Sequence, residues 1–185
     1  MSMNDPIARG LAAGWNVTDA SKLSENRTVE ADVVVIGTGA GGGTTAEILA
    51  RQGLSVILVE EGRLYYQKDF KMDELTSYAN LYQEGMSRVT ADGAIAILQG
   101  RCVGGSTTVN WTSSFRTPDE TLTYWSQELG LEGLAPDAMA PWFEGREQRH
   151  NMAPWETPPN LNNDILRQGC EKLGYSWQVI PRNVK

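Results

Sequence analysis

Two apolar runs flank a glycine-rich segment near the start of the chain. Residues 31–36 (ADVVVI) and 54–59 (LSVILV) are continuous and rich in β-branched side chains, which is typical of strands buried on both faces of a parallel sheet. Residues 41–51 between them have helical apolar spacing, and Gly53 stands where a helix commonly ends. Strand, glycine turn, helix and strand fill about 30 residues, the length of one βαβ unit.

The rest of the chain alternates helices and loops. Residues 63–69 are aromatic and polar, which favours a loop, and residues 71–85 group apolar positions on one side, which predicts a helix. The further predicted elements are a strand at 94–98, helices at 118–130 and 136–149, a proline-rich loop at 152–159, a helix at 161–173 and a strand at 176–180. The pattern predicts an α/β fold.

The glycine segment has the spacing of a dinucleotide-binding motif. It reads G-x-G-x-x-G, follows a predicted strand and opens a predicted helix, which is the context that the motif requires. A ligand diphosphate could approach the backbone there and face the positive end of the helix dipole. The candidate cofactor-binding residues of this motif are Gly37, Gly39, Ala40, Gly41 and Gly42. The alternative is a glycine-rich turn that binds no ligand.

Glu60 is the acidic residue expected about 20 residues further on, at the end of the second strand. Its carboxylate can accept hydrogen bonds from ribose hydroxyls and would repel a 2′-phosphate, which disfavours NADP. We prefer Glu60 over its neighbour Glu61 because of its position and interpret Glu61 as a solvated surface charge. This motif alone does not distinguish FAD from NAD.

A second glycine-rich segment, residues 100–110 (GRCVGGSTTVN), distinguishes them. It resembles the N-terminal signature of the glucose–methanol–choline (GMC) oxidoreductases, G-R-x-h-G-G-S-[ST]-x-h-N, where h is hydrophobic. The stretch VILVEEG at 56–62, Tyr124-Trp125 and residues 140–143 (APWF) are also similar to that family, so the resemblance covers residues 31–150. The tail, residues 173–185, looks closest to bacterial members related to long-chain alcohol oxidases and choline-dehydrogenase-like proteins.

The resemblance implies a Rossmann-like FAD-binding fold with a parallel sheet, and oxidation of the CH–OH group of an alcohol by hydride transfer to flavin. It adds as cofactor-binding candidates Arg101, Val103, Gly104, Gly105, Ser106, Thr107 and Asn110. Some members bond flavin covalently to a histidine just before the asparagine; this chain has Val109 there, so we expect non-covalent FAD. Position 114 is Ser where the family usually has an aromatic residue, and Phe115 follows it.

The base that removes the hydroxyl proton in this family is a histidine near the C-terminus of a longer chain. The single histidine here, His150, has no matching context, and we assign no catalytic residue. We therefore expect the N-terminal part of a larger two-domain flavoprotein, which is incomplete and, when alone, binds FAD weakly or not at all and is inactive. Its predicted organisation is a flexible leader at 1–30 (or an arm that packs on the domain), a Rossmann-like portion at 31–150, and the start of a further segment at 151–185. The alternatives are an NAD-dependent dehydrogenase and a non-catalytic nucleotide-binding remnant.

Composition excludes several other classes. The net charge is −7 with no basic run, which argues against nucleic acid as a partner. Cys102 and Cys170 are far apart, which disfavours a disulfide framework or a metal site. No run approaches the ~20 apolar residues of a membrane span, and the first 26 residues lack signal-peptide features. We expect a cytoplasmic protein, with peripheral attachment to a membrane left open, whose substrate in the full-length form is a small-molecule alcohol.

Overall fold

The computed structural model describes residues 5–184, and the described residues form two compact units that divide after Asn110. The first unit begins with helix α1 (Pro6–Ala12), which Asp5 caps by accepting hydrogen bonds from the N–H groups of Ile7 and Ala8. The other carboxylate oxygen of Asp5 accepts the N–H of Gln67 at 2.9 Å. This contact ties the predicted leader to the same unit, while the flexibility of that stretch stays a prediction. Residues 1–4 of the leader lie outside the described residues.

The centre of the first unit is the predicted βαβ arrangement. Strand β1 (Val33–Ile36) leads into helix α2 (Ala40–Arg51), which returns to strand β2 (Val56–Val59). The two strands pair in parallel, from Val33 opposite Val56 to Ile36 opposite Val59, and Ala46 of α2 is buried. Gly53 follows α2 at φ +90°, a left-handed conformation that favours glycine. The parallel α/β prediction is confirmed.

The expectation that both faces of these strands are buried is wrong for the described residues. Val35 faces α2, since its Cγ1 lies 3.4 Å from the position of a Cβ on Gly42. The opposite face carries Val34, Ile36 and Val59, which are 54%, 88% and 50% exposed. No described element covers that face. Within residues 5–184, α2 thus covers one face of the two strands.

The segment after β2 departs from the predicted elements in two places. Helix α3 spans Glu74–Leu81 and gives way to a 3₁₀ turn at Gln83–Met86, where Glu84 and Gly85 have positive φ, so the helix predicted over 71–85 is shorter at both ends. The strand predicted at 94–98 is wrong, because this stretch contributes only an isolated bridge between Val89 and Ala96. A short 3₁₀ turn at Gln67–Asp69 lies within the predicted loop, and the four-residue helix α4 (Ser106–Val109) stands near the end of the first unit.

The second unit consists of three helices and a two-residue β-ladder. The helices are α5 (Asp119–Gln127), α6 (Pro136–His150) and α7 (Leu161–Leu173), and Leu122 of α5 is 1% exposed. Strand β3 (Ala153–Pro154) pairs antiparallel with β4 (Pro181–Arg182). The strand predicted at 176–180 is therefore wrong, because this part of the described chain pairs only at Pro181–Arg182, and the choice of a partner distant in the chain is not encoded in local composition. No helix within residues 5–184 has the length and apolarity needed to cross a membrane.

Candidate functional site

The candidate site lies where the carboxyl ends of β1 and β2 meet. Gly37 follows β1 and Glu60 follows β2. Because the strands are parallel and Ile36 pairs with Val59, these two residues lie at the same end of the sheet. Gly37 continues the ladder through its N–H, which donates to the carbonyl of Val59 at 2.8 Å, and then turns at φ +89°. Three residues later α2 begins at Ala40, with Gly39 as its N-cap. The first glycine motif is thus a strand-to-helix turn, as its spacing predicted.

The glycines of this turn serve two purposes. A Cβ on Gly42 would lie 2.0 Å from the carbonyl oxygen of Gly37, so this residue must lack a side chain for α2 to start against β1. Gly39 differs, because its φ of −65° suits any residue and no protein atom lies within 4 Å of a Cβ placed there. Neither conformation nor internal packing explains Gly39. The space beside it is open to a ligand.

That open space faces the N-terminus of α2. The N-cap is glycine, and no described side chain caps this end of the 12-residue helix. The first N–H groups of a helix have no partner within it, and they carry the positive end of the helix dipole. Together with the room beside Gly39 and Gly41, this arrangement fits a diphosphate.

Glu60 faces the glycine turn. Its Oε2 accepts hydrogen bonds from the N–H of Thr38 at 2.9 Å and from the hydroxyl of Thr38 at 2.6 Å, and its Oε1 accepts the N–H of Gly62 at 2.9 Å. Burial acts to raise the pKa of Glu60, but the hydrogen bonds donated by Thr38 and by the backbone at Gly62 and Glu61 outweigh it and lower the pKa. Glu60 is therefore an ionised acceptor near neutral pH.

Glu61 occupies a different environment from Glu60. Its side chain is 58% exposed and forms an ion pair with Arg101, a candidate of the second motif. The backbone of Arg101 is anchored separately, since its N–H donates to the carbonyl of Leu81 at 2.7 Å. Val103 is held in the same way by the carbonyl of Arg63 at 3.1 Å. The start of the second motif is therefore fixed through its backbone.

The second motif folds into a tight loop that ends in a short helix, α4 (Ser106–Val109). Gly104 and Gly105 have φ values of +94° and +54°, and a Cβ on Gly100 would lie 2.4 Å from the carbonyl oxygen of Gly105. The hydroxyl of Ser106 accepts the N–H of Gly100 at 3.0 Å, and the hydroxyl of Thr107 donates to the carbonyl of Gly104. Both hydroxyls thus hold the loop together: that of Thr107 donates its hydrogen within the loop, whereas that of Ser106 acts there as an acceptor and can still donate.

The last candidate, Asn110, closes α4. Its side-chain amide donates to the carbonyl of Thr107 at 3.1 Å, and the residue is exposed. The preceding residue, Val109, is half-buried, and its carbonyl accepts the hydroxyl of Tyr82 at 3.2 Å. This places the end of the second motif against the 3₁₀ turn that follows α3.

The two glycine motifs, which are far apart along the chain, contact each other directly. The N–H of Gly104 donates to the hydroxyl of Thr38 at 3.0 Å, and the Cα of Gly39 lies 2.9 Å from the position of a Cβ on Gly105. Sequence reasoning assigned the motifs separately. The structure joins them into one surface of backbone atoms with Glu60 at its edge.

Several residues of this surface were missed by sequence reasoning. Thr38 is the residue between the first two glycines, and a hydroxyl beside two parallel strand ends was the available signal. Gly62 was also overlooked, although a Cβ there would lie 2.4 Å from the backbone of Arg101.

Cys102 is fully buried, and burial raises the pKa of its thiol. His150 is the exposed last residue of α6 in the second unit, and no chemistry is assigned to it.

Comparisons with known proteins agree with this architecture. An FAD-dependent oxidoreductase from Chaetomium thermophilum superimposes with a TM-score of 0.59 over 84% of this chain and 34% of that one, at 16% sequence identity. The likeness confirms the predicted fold class, a partial Rossmann-like FAD-binding fold with a parallel sheet.

Sequence relatives extend over nearly the whole chain. The long-chain-alcohol oxidase FAO4A of Arabidopsis thaliana is 33% identical over 167 residues, and an uncharacterised GMC-type oxidoreductase of Mycobacterium tuberculosis is 37% identical over 195 residues. The chain spans 23% and 30% of the lengths of these two relatives. A family model described as GMC oxidoreductase matches residues 78–185, more than half of the chain. The chain therefore belongs to the GMC oxidoreductase family.

Proposed function

We propose that this chain is the FAD-binding portion of an oxidoreductase that acts on the CH–OH group of alcohols. The observation that carries the proposal is the direct contact between the two glycine motifs, at Thr38 with Gly104 and at Gly39 with Gly105. An NAD-binding βαβ unit would explain the first motif alone. The second motif has no role in that interpretation, whereas a longer dinucleotide such as FAD can extend along both.

The chemistry of each residue suits it to a different part of FAD. Glu60 offers an ionised carboxylate to the hydroxyls of the adenosine ribose. The open side of Gly39 and the start of α2 suit the diphosphate, and the loop from Gly104 to Asn110 would continue toward the flavin. Bound FAD supplies the hydride acceptor. The cofactor would be held without a covalent bond, since Val109 has a hydrocarbon side chain.

The 185 residues alone are proposed to be inactive in alcohol oxidation. A general base works best with a pKa near the operating pH, and the pKa of Glu60 is lowered from its usual value of 4.5. The remaining candidates in the two motifs are glycines, an alanine, a valine, two hydroxyl residues, an amide and an arginine, none of which serves as a general base near neutral pH. The base would come from the full-length protein.

The substrate class follows from the relatives and stays general. FAO4A is named a long-chain-alcohol oxidase, which makes long-chain alcohols the first compounds to test. We also propose a cytoplasmic location with peripheral membrane association left open, and the domain scheme of a leader at 1–30, a Rossmann-like portion at 31–150 and a further segment from 151. Cell fractionation and limited proteolysis would test these two points.

A spectroscopic titration tests the proposed function. The purified chain is titrated with FAD, NAD and NADP, and binding is followed by calorimetry and by the visible flavin band. We expect FAD to bind more tightly than NAD, with no turnover of alcohols by the chain and with turnover by the full-length protein. Preferential binding of NAD would favour the dehydrogenase alternative. Binding of neither cofactor by the full-length protein would favour a non-catalytic remnant.

A further inference from the structure

The hydroxyl of Thr38 occupies a central place in the site. It donates a hydrogen bond to Oε2 of Glu60 at 2.6 Å and accepts one from the N–H of Gly104 at 3.0 Å. The hydroxyl therefore joins three segments of the first unit: the turn after β1, the end of β2 and the second glycine motif. Thr38 is part-buried, so these bonds are partly shielded from water.

We propose that Thr38 is a positioning residue that couples the two cofactor-binding motifs through its hydroxyl. The inference rests on the proposed FAD site, but it concerns a side chain that makes no assumed contact with the cofactor. Its effect is transmitted through Glu60, whose carboxylate it orients, and through Gly104, whose backbone it holds against the first motif.

The geometry explains why a hydroxyl is suited to this position. Glu60 can only accept hydrogen bonds when ionised, and a backbone N–H can only donate, so a single group that bridges them must donate to the one and accept from the other. A hydroxyl does both at the same time. Bonds in such a chain polarise each other, and the bond to the ionised carboxylate is of the stronger, charge-assisted kind.

The backbone of Thr38 makes the arrangement more specific. Its own N–H also donates to Oε2 of Glu60, at 2.9 Å, so one carboxylate oxygen receives two hydrogen bonds from the same residue. Removal of the hydroxyl leaves the backbone bond in place. A variant without the hydroxyl therefore keeps one hydrogen bond from residue 38 to Glu60 and loses the two bonds of the hydroxyl, to Glu60 and to Gly104.

The test compares Thr38→Val with Thr38→Ser in the full 185-residue chain. Valine has the shape of threonine without the hydroxyl, and serine keeps the hydroxyl without the methyl. We expect Thr38→Val to weaken FAD binding about tenfold or more, and we expect Thr38→Ser to stay within about threefold of the unmodified chain. A second readout, amide hydrogen exchange at Gly104, should show protection in the unmodified chain and in Thr38→Ser, and loss of protection in Thr38→Val.

Thr90 provides a matched control in the same unit. Its hydroxyl also donates to a carboxylate, that of Asp92, and accepts a backbone N–H, that of Ile95. Thr90→Val removes the same kinds of hydrogen bond at a site outside the glycine motifs. We expect it to leave both FAD affinity and the exchange of the Gly104 amide unchanged.

The outcomes separate the proposal from the function on which it rests. Failure of the unmodified chain to bind FAD counts against FAD binding by this chain, whereas the Gly104 exchange still tests the Thr38 link without cofactor. Unchanged or tighter FAD binding by Thr38→Val overturns the proposal, as does failure of serine to rescue. If Thr38→Val does not fold, the exchange rate in the unmodified chain decides: a Gly104 amide that exchanges as fast as an unprotected one overturns the link.

Discussion

Gly39 and Gly105 approach each other so closely that a Cβ on Gly105 would lie 2.9 Å from the Cα of Gly39. The contact joins the N-cap of α2 to the residue that precedes α4. A pair of backbones can come this near only where at least one of the residues has no side chain. The close approach brings two short motifs into one backbone-lined surface.

The first prediction concerns this contact. Gly105→Ala should destabilise the first unit by about 2 kcal/mol or more, because it combines a close contact with a positive φ of +54°. FAD binding should be lost or strongly weakened. Gly53→Ala is the control, since Gly53 also has positive φ but open space around its Cβ position. Gly53→Ala should lower the free energy of unfolding by about 1 kcal/mol and leave FAD affinity unchanged. Chemical unfolding and cofactor titration measure both quantities. Equal losses of stability and of FAD affinity in the two variants would contradict the importance of the contact.

The second prediction uses two neighbouring glycines of α2. Gly42→Ala should destabilise the chain by about 2 kcal/mol or more, because the new Cβ would lie 2.0 Å from the carbonyl oxygen of Gly37. Gly43→Ala places its Cβ 3.7 Å from the carbonyl oxygen of Thr38, an ordinary contact, and should stabilise the helix by about 0.5–1 kcal/mol. Thermal unfolding of both variants checks the pair. Similar melting temperatures would show that α2 does not pack against the turn as described.

The third prediction concerns the charge on Glu60. Because its pKa in the folded chain lies below the usual value of 4.5, ionised Glu60 contributes stability that is present above pH 4.5 and is lost as the pH falls through the folded-state pKa. Glu60→Gln should therefore lower stability near neutral pH and reduce the loss of stability seen below pH 4.5. Free energies of unfolding, measured across this pH range for the unmodified chain and for Glu60→Gln, check the direction of both changes.

Glu61→Gln is the control for that measurement. Glu61 is adjacent in sequence, but it is largely exposed and paired with Arg101. Its substitution should have little effect on stability, since exposed ion pairs contribute little. Glu60→Gln should also weaken FAD binding about tenfold or more, because an amide group replaces a charged acceptor. If Glu61→Gln weakens FAD binding more than Glu60→Gln does, the ribose-binding role belongs to Glu61.

The fourth prediction concerns the link between protein and flavin. FAD bound to this protein should be released completely when the protein is denatured with acid, because position 109 is valine and not the histidine that carries a covalent bond in some members of the family. The supernatant after precipitation should contain the flavin absorption, and the pellet should be colourless. Flavin retained in the pellet would indicate attachment through another residue.

Local sequence was sufficient for the βαβ unit and for the residues of each glycine motif. The β-branched runs, the glycine spacing and the acid after the second run are short-range features, since strand, turn and helix preferences act over a few residues. The same short range explains the errors. Residues 94–98 and 176–180 have strand-like composition, but the first stretch forms only one isolated bridge, from Ala96 to Val89, and the ladder near the second stretch begins at Pro181.

The tertiary structure decided how the parts combine. Nothing in the spacing from Thr38 to Gly104 indicates that one hydroxyl bonds both Glu60 and the second motif, because that contact depends on how the intervening chain returns to the turn. The bridges of residues 99–103 to the end of α3 and to Arg63 bring it back. The kinds of residue needed for a dinucleotide were therefore readable from the chain, whereas their assembly into one surface depended on long-range backbone pairing, which local preferences do not encode.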